Sequence, residues 1–223
     1  MPEQTLQQRQ TSKYQLALAI GCLFALAISL FSPVYPKEQW LQHMPTVVGL
    51  LSLFLFSRTG YFSCTSATCI AVFLLMHIIG ARWIYSYVPY DRWCDALFGR
   101  NLSNQFGWQR NHYDRLVHFA FGFLFTLPTA EAVKKLSGLN RWLALGAAFT
   151  VVAAVSAAYE ILEWGLAVVA APEFAERYNG QQGDYWDAQK DMALACLGSL
   201  LAVAGLSLAR SILPTQRPLQ AED

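Results

Sequence analysis

Residues 142–159, WLALGAAFTVVAAVSAAY, form a run without a charged side chain, and this run decides the fold class. A helix needs about 20 apolar residues to cross a hydrocarbon core roughly 30 Å thick. Small residues dominate the run, and small residues let helices pack closely in lipid. Two acids, Glu160 and Glu163, follow it at once. The stretch therefore predicts a closely packed membrane helix with carboxylates toward one end.

The rest of the chain repeats this apolar pattern. Of 223 residues, 55% are hydrophobic and only 14% are charged, which is typical of an integral membrane protein. Windows poor in charge predict six spans, at residues 14–33, 40–57, 63–85, 113–133, 141–170 and 187–209. Backbone groups in lipid must pair within their own segment, and the alternating strands of a barrel are not evident. We predict an all-α polytopic membrane protein, with residues 1–223 as a single integral membrane domain and a bundle of six transmembrane helices.

Two details refine this map of spans. Pro45 interrupts the second span, which predicts a kink there. The longest loop, residues 86–112, contains Trp93, Leu97 and Phe98 among charged side chains. This mixture predicts a short amphipathic helix on the membrane surface.

The distribution of basic residues bears on the orientation of the chain. With six spans the two termini share a side, and the Lys and Arg residues divide evenly between the two sides. The positive-inside rule gives most weight to short loops and to the first helix. Arg9 and Lys13 precede the first span, and Lys134, Lys135 and Arg141 flank a short connection. We therefore expect cytoplasmic termini.

Six of the 15 acids of this apolar chain, together with a histidine, lie in three short stretches: YDRLVH at 113–118, YEILEW at 159–164 and GDYWDAQKDM at 183–192. The six-span map places all three at the membrane face opposite the termini, where His77 and Arg82 also end the third span. Acids three or four residues apart lie on one side of a helix. Ionisable groups inside membrane helices are costly and are a functional-site hypothesis by default. The sequence predicts a polar pocket at this face.

Crowded carboxylates repel each other, and a bound cation is the simplest remedy. Oxygen ligands with one imidazole suit Mg, Mn, Fe or Zn, and helical bundles hold such ions with acids and histidines on facing helices. The predicted metal ligands are Asp114, His118, Glu160, Asp187 and Asp191. Such an ion can activate a water molecule, with a spare carboxylate as base. The predicted catalytic residues are Glu163, as the base, and His118, as an acid or base.

Plainer interpretations of the same residues stay open. Side chains that can cap helices stand at the starts of two spans: Asp184 and Asp187 at the last one, and Asn111 or Asp114 at the fourth. Glu160 and Glu163 lie inside a helix, where a buried acid can be protonated and hydrogen-bonded to Arg82 or Tyr159. On its apolar helix, His77 is typical of a hydrogen-bonded packing residue.

Several short motifs carry a resemblance to a known family. They are HIIG at 77–80, YSYVP at 85–89, RNHYDR at 110–115 and QGDYWD at 182–187. Through them the chain resembles the YjdF-like family of bacterial inner-membrane proteins, over roughly residues 77–209. The resemblance implies a polytopic protein of the bacterial inner membrane and implies no particular reaction.

A more distant likeness is to VanZ-like proteins, which are associated with glycopeptide resistance. The shared pattern is an acid-basic pair followed by a histidine, then an acid on the next helix, then an acid opening a glycine-containing helix: Asp114, Arg115 and His118, then Glu160, then Asp187 with Gly198. The chain departs from it at Asp191, where that pattern has an asparagine, and it lacks an arginine before the last helix. The likeness does not extend to the resistance role.

Two classes of function remain open. In the first, the pocket is a metal-dependent enzyme site that acts on a lipid or envelope precursor entering from the bilayer. In the second, the protein is a non-catalytic membrane accessory protein, or a cation or proton carrier. A carrier offers polar groups along a path through the midplane, often in repeated halves. We find no such groups in the first two spans and no internal repeat, which favours the enzyme over transport. No basic tract or phosphate-binding glycine loop is present, so nucleic acid is not an expected partner.

Overall fold

The computed structural model describes residues 6–57, 59, 61–169 and 180–209, and every regular element within them is a helix. The helices are α1 (Leu6–Ser29), α2 (Pro36–Gln42), α3 (Met44–Ser57), α4 (Cys64–Arg82), α5 (Tyr90–Phe98), α6 (Leu102–Phe106), α7 (Tyr113–Ser137), α8 (Arg141–Val169) and α9 (Asp187–Leu208). By length and apolar composition, α2 together with α3 and five single helices can each cross a membrane. The predicted all-α polytopic fold with six spans is therefore confirmed.

The second and third spans differ in detail from the apolar windows of the sequence. The second is two helices that meet at His43, with Pro45 in the first turn of α3, where a proline needs no backbone partner. The third ends at Arg82 and not at residue 85. Ile84 and Tyr85 have φ angles of 42° and 55°, which a right-handed helix excludes. The last predicted residue of the fifth span, 170, lies outside the described residues.

The loop between α4 and α7 contains two short helices. Helix α5 lies where the sequence predicts an amphipathic segment, and its Leu97 and Phe98 are exposed. The backbone N–H of Ser103, on α6, donates to the Asp91 carboxylate at 2.9 Å. This bond holds α5 and α6 together beside the start of α7.

Helix α7 is the centre of the bundle and packs against α4, α8 and α9. Its closest approach is to α9. A Cβ atom added at Gly122 would lie 1.9 Å from the Ala195 carbonyl oxygen, and one at Gly198 would lie 2.2 Å from the Phe119 carbonyl oxygen. Both positions therefore require glycine. Because α7 and α9 both begin at the face opposite the termini, the contact sets their first turns side by side.

At the membrane face that holds the termini, two buried charged residues connect helix ends. Arg141, which begins α8, donates to the carbonyl of Leu206 and, at 3.2 Å, to that of Ala209 at the end of α9. Glu131, near the end of α7, accepts a hydrogen bond of 3.0 Å from the backbone N–H of Ser63, just before α4. These charges satisfy helix ends that would otherwise lack partners.

Candidate functional site

Asp114, His118 and Asp191 form a cluster between the first turns of α7 and α9, which we call the acid–histidine cluster. One ligand atom from each residue lies within 4.8 Å of the other two. Asp114 and His118 are one turn apart on α7, and Nε2 of the histidine lies 3.6 Å from Oδ1 of the aspartate. Asp191 is 2% exposed, and its Oδ1 accepts no hydrogen bond. The close contact of α7 with α9 brings these three side chains together.

Glu160 extends this cluster from α8. Its Oε1 lies 3.5 Å from His118 Nε2, is buried and accepts no hydrogen bond. The rings of Tyr159 and His118 meet edge to face at a centroid distance of 6.0 Å. Tyr159 forms a side-chain hydrogen bond with Glu163, which lies one turn beyond Glu160 on α8. Of the two predicted acids on α8, Glu160 therefore adjoins His118, and Glu163 is near enough to Asp114 for their charges to interact.

Glu160 and Glu163 share a polar cleft of about 240 Å³ on the outer side of the cluster. Its other walls come from residues at the start of α9 and just before it, including Asp187, Tyr185 and Trp186. Tyr185 and Trp186 are exposed. The cleft thus joins Glu160 to the surface of the membrane face opposite the termini.

Asp187 is engaged by arginines and stands apart from the three clustered residues. Arg110 binds its two carboxylate oxygens through Nη1 and, at 3.4 Å, through Nη2. Arg115 Nη2 lies 3.5 Å from Asp187 Oδ1. Arg110 also donates to the carbonyls of Gly180 and Gln181 at 3.1 Å each. Asp187 therefore closes an ion-pair network that fastens the segment before α9 to the segment before α7.

Asp184 belongs to the same network. It binds Arg115, and Lys190 Nζ donates to its two oxygens at 2.6 and 2.9 Å. The hydrogen bond from Lys190 lowers the pKa of Asp184 to about 2, and a hydrogen bond from the Trp186 backbone N–H acts in the same direction. The residue before α9 is Trp186, which makes no side-chain cap. Asp184 therefore braces the turn that leads into α9 and does not occupy its capping position.

Asn111 also lies outside the capping position of its helix, because the residue before α7 is His112, which makes no side-chain cap. The Asn111 side-chain oxygen accepts a hydrogen bond of 3.0 Å from the backbone N–H of Tyr113. Asp114 makes its closest described contact with His118 instead. Asn111 therefore braces the turn that leads into α7, as Asp184 does before α9, and Asp114 belongs to the acid–histidine cluster.

Two polar residues of the third span, Arg82 and His77, bind other parts of the chain and not the acids of the pocket. Arg82 donates to the carbonyls of Ser29 and Phe31 at 2.7 and 2.9 Å, so it completes the end of α1. The expectation that Arg82 belongs to the acidic pocket was wrong. His77 donates from Nε2 to the Gln42 carbonyl at 2.8 Å, and the Tyr85 hydroxyl hydrogen-bonds its Nδ1. These two bonds match the packing role for His77.

The sequence-based expectation that the first two spans lack polar groups was also wrong. His43, at the junction of α2 and α3, is buried and lies 3.2 Å from Ser29 Oγ, 3.3 Å from Gln39 Nε2 and 3.1 Å from Thr46 Oγ1. Gln15 of α1 is also buried and donates to the Phe62 carbonyl at 2.7 Å. The bundle therefore has polar interior groups on both sides of α4.

An apolar cavity of about 120 Å³ lies on the inner side of the acid–histidine cluster. Its lining includes Pro45 of α3, Phe73 of α4, Phe121 of α7 and Val155 of α8. Asp114 and His118 form part of its wall, as do His77 and Tyr85. His118 thus separates an apolar cavity from the polar cleft that contains Glu160.

Two residues of the site were not identified from the sequence. Ser156 lines the cavity with a buried hydroxyl that has no hydrogen-bond partner. It appeared only as one of many small residues of α8, although its position four residues before Glu160 puts both on one face of the helix. Arg110 was counted only as a basic loop residue. Its partner Asp187 is distant in sequence, and no local pattern indicates such a pair.

Comparisons with known proteins agree with the fold. Residues 14–211 match a family model described as "Predicted membrane protein (DUF2238)". The chain is 30% identical to "Inner membrane protein YjdF" of Escherichia coli (strain K12) over 175 residues, which are 78% of this chain and 79% of the relative. No solved structure matches the chain. The matched range includes every residue of the acid–histidine cluster and both arginines that bind Asp187.

Proposed function

The chain belongs to the DUF2238 family of predicted membrane proteins and is similar to a relative named as an inner-membrane protein, and on that premise we propose a metal-dependent function for it. The protein crosses the bacterial inner membrane six times. Asp114, His118 and Asp191 hold a divalent metal ion, and the site acts on a lipid or envelope precursor that enters from the bilayer.

One observation carries this proposal, namely three ligand atoms from buried or half-buried side chains within 4.8 Å of one another. Ligands on opposite sides of one ion lie about 4.2 Å apart when each bond is about 2.1 Å, so small side-chain rotations suffice. Asp191 Oδ1 and Glu160 Oε1 are both buried without a hydrogen bond. Burial of such oxygens is costly unless a partner is present, and a cation supplies one.

The donor atoms narrow the choice of ion. Two carboxylates and one imidazole suit Mg, Mn, Fe or Zn, with the carboxylates favouring Mg or Mn and the imidazole favouring Fe or Zn. Glu160, 3.5 Å from His118, is in position to act as a further ligand. Asp187 is the least suited of the predicted ligands, because Arg110 and Arg115 already neutralise it.

The surrounding residues supply the rest of the chemistry. A bound divalent ion acts as a Lewis acid and lowers the pKa of a coordinated water molecule. Glu163 lines the cleft beside Glu160, where it would accept a proton from a water molecule that attacks the substrate. His118, in contact with Glu160, would give a proton to the group that leaves as the substrate bond breaks.

Metal analysis of detergent-purified protein tests the proposal. We expect wild type, purified with a tag that has no histidines, to retain about one ion per chain after dialysis against Mn²⁺ or Zn²⁺ and desalting. His118→Ala and Asp191→Asn remove a ligand each, so their metal content should fall at least tenfold, since loss of a ligand weakens binding more than loss of an outer partner. Inductively coupled plasma mass spectrometry gives the ion count.

Asp95→Asn is the matched control, because Asp95 is an exposed acid on α5. It should retain the metal content of wild type. Size-exclusion chromatography checks that each variant is folded. A wild-type protein without bound metal, or an Asp191→Asn variant that keeps it, would contradict the metal site.

A proton or cation carrier is the second candidate, and the polar residues around α4 favour it. His77 and Tyr85 line the same cavity as Asp114 and His118, and His77 is bonded to the backbone at the junction that holds His43. Carriers place such groups along a path through the membrane. Vesicles loaded with a pH-sensitive dye separate the two functions, because only a carrier would make the dye respond to a pH step in a His118-dependent way.

A further inference from the structure

Ser156 and Ser66 are the two hydroxyl residues of the described spans whose buried oxygens have no hydrogen-bond partner, and of these only Ser156 lines a cavity. Thr126, Thr150, Ser137 and Ser207 each donate a hydrogen bond to the carbonyl four residues earlier, at 2.6 to 3.1 Å. This is the usual way in which a helix satisfies such a hydroxyl in lipid. Ser156 is 2% exposed and its Oγ has no partner. Ser156 is also one of the residues that line the apolar cavity, so its unpartnered hydroxyl lies next to a molecule bound there.

The cavity lies along the seam between α4 and α7, with α3 on one side and α8 on the other. Two of its lining residues, Pro45 of α3 and Val155 of α8, are exposed, the latter by 49%. Exposed residues in the middle of membrane spans face hydrocarbon. The cavity therefore opens sideways to lipid between α3 and α8.

We propose that this cavity is a lateral binding site for one acyl chain of a bilayer lipid, with the ester group of that lipid at Ser156. The chain enters between Pro45 and Val155 and lies against Phe73 and Phe121. A cavity of about 150 Å³ holds a benzene ring, so 120 Å³ accommodates the first few carbons of a chain. An ester oxygen accepts from Ser156 Oγ, which satisfies a buried donor that is costly to leave unpaired.

With the ester at Ser156, the substrate class of the proposed function is an ester-linked bilayer lipid. An ester at Ser156 lies one turn of α8 from Glu160 and on the same face, and it shares its cavity with Asp114 and His118. Binding of the chain depends on the cavity alone. Only the reaction at the ester rests on the proposed metal site, so the two ideas can fail separately.

Photolabelling in vesicles tests the proposal. The protein is reconstituted in phosphatidylethanolamine and phosphatidylglycerol with a trace of a phospholipid that has a diazirine in its acyl chain close to the ester. Mass spectrometry then compares adducts at Phe73 and Phe121 with adducts at Phe24, an exposed residue of α1 that reports ordinary surrounding lipid. We expect the cavity residues to be labelled well above Phe24 in wild type.

Three variants separate the parts of the site. Val155→Trp fills the mouth and should remove most of the excess labelling, whereas Val151→Trp, one turn earlier and equally exposed, should leave it unchanged. Ser156→Ala should lower the excess about fivefold, the factor expected for one neutral hydrogen bond. Thr150→Ala, which removes a hydroxyl outside the cavity, should have no effect.

Equal labelling of the cavity residues and Phe24 in wild type would overturn the proposal, as would full labelling in Val155→Trp. Full labelling in Ser156→Ala would overturn the placement of the ester. Protein stripped of divalent ions with a chelator should still show the excess labelling. That result would stand even if metal analysis showed the acid–histidine cluster to hold no ion.

Discussion

At the scale of single residues, Arg110 joins three segments of the chain. It lies in the loop before α7, it binds the backbone carbonyls of Gly180 and Gln181, and it binds the Asp187 carboxylate at the start of α9. Its side chain and that of Asp187 are 10% and 4% exposed. A buried ion pair of this kind contributes modestly while it is intact, but it leaves an uncompensated charge when one partner is lost.

Arg110→Ala should destabilise the protein by about 3 kcal/mol, because Asp187 would keep only the longer contact to Arg115. Denaturation in mixed micelles, followed by tryptophan fluorescence, measures the change. Arg92→Ala, at an exposed position of α5, should change stability by less than about 0.5 kcal/mol. Adding Asp187→Asn to Arg110→Ala should restore part of the loss. A single variant as stable as wild type would show that the pair does not hold the two segments together.

At the scale of helices, the contact of α7 with α9 determines whether the site exists. Gly122 and Gly198 let the two backbones approach until a methyl group would overlap a carbonyl oxygen. Close contact between small residues is a main source of helix association in lipid. Thr126 and Ser199 add a hydrogen bond of 2.7 Å on the same interface, further from the site.

Gly122→Ala should separate α7 from α9 and destabilise the bundle by about 1–3 kcal/mol, since the added methyl group meets backbone and not a movable side chain. It should also weaken metal binding, because Asp191 would move away from His118. Gly146→Ala is the control, since a Cβ there meets nothing within 4 Å. The control should be neutral or up to about 1 kcal/mol more stable. Equal stability of the two variants would contradict the role given to the contact.

The helices were the part of the fold that the sequence predicted best. Spans in lipid require long apolar runs, so their number follows from hydropathy alone. Which helix is central does not follow in the same way. The small residues of 142–159 pointed to close packing around α8, but α7 occupies the centre and Gly122 is its only glycine. A single glycine at a contact carries no periodic signal, because its effect depends on the backbone that faces it.

At the scale of the whole molecule, the six spans put the acid–histidine cluster and the polar cleft on the face opposite the termini. Whether this face is periplasmic or cytoplasmic depends on the orientation of the chain in the membrane. The basic residues that flank the first span and the connection between α7 and α8 predict cytoplasmic termini. The polar cleft then opens to the periplasmic side, where envelope precursors are used.

Reporter fusions test this orientation. Green fluorescent protein fused after Ala209 should fluoresce, because it folds in the cytoplasm. Alkaline phosphatase fused after Gly99, in the loop between α4 and α7, should be active, because it needs the periplasm to form its disulfides. The reversed pair of fusions should be dark and inactive. The opposite result would place the cleft on the cytoplasmic side and direct the search for a substrate there.

The candidate site was only partly predictable. The three- and four-residue spacings identified Asp114 with His118, and Glu160 with Glu163, because one turn of a helix is a local property. Two features of the site depend on contacts between residues that are distant in sequence. Asp187 and Asp191 are also four residues apart, but Arg110 engages the first and the second joins the cluster. The unpaired hydroxyl of Ser156 became visible only when its surroundings were known.

The glycine contact between α7 and α9 also limits how the chain length can vary. Gly122 must face α9, and His118 must point at Asp191, so the residues between them set a fixed rotation about the helix axis. One inserted or deleted residue would turn His118 by about 100° relative to the contact. The histidine would then point into lipid or into α4. This part of α7 therefore tolerates a change of side chain more readily than a change in the number of residues.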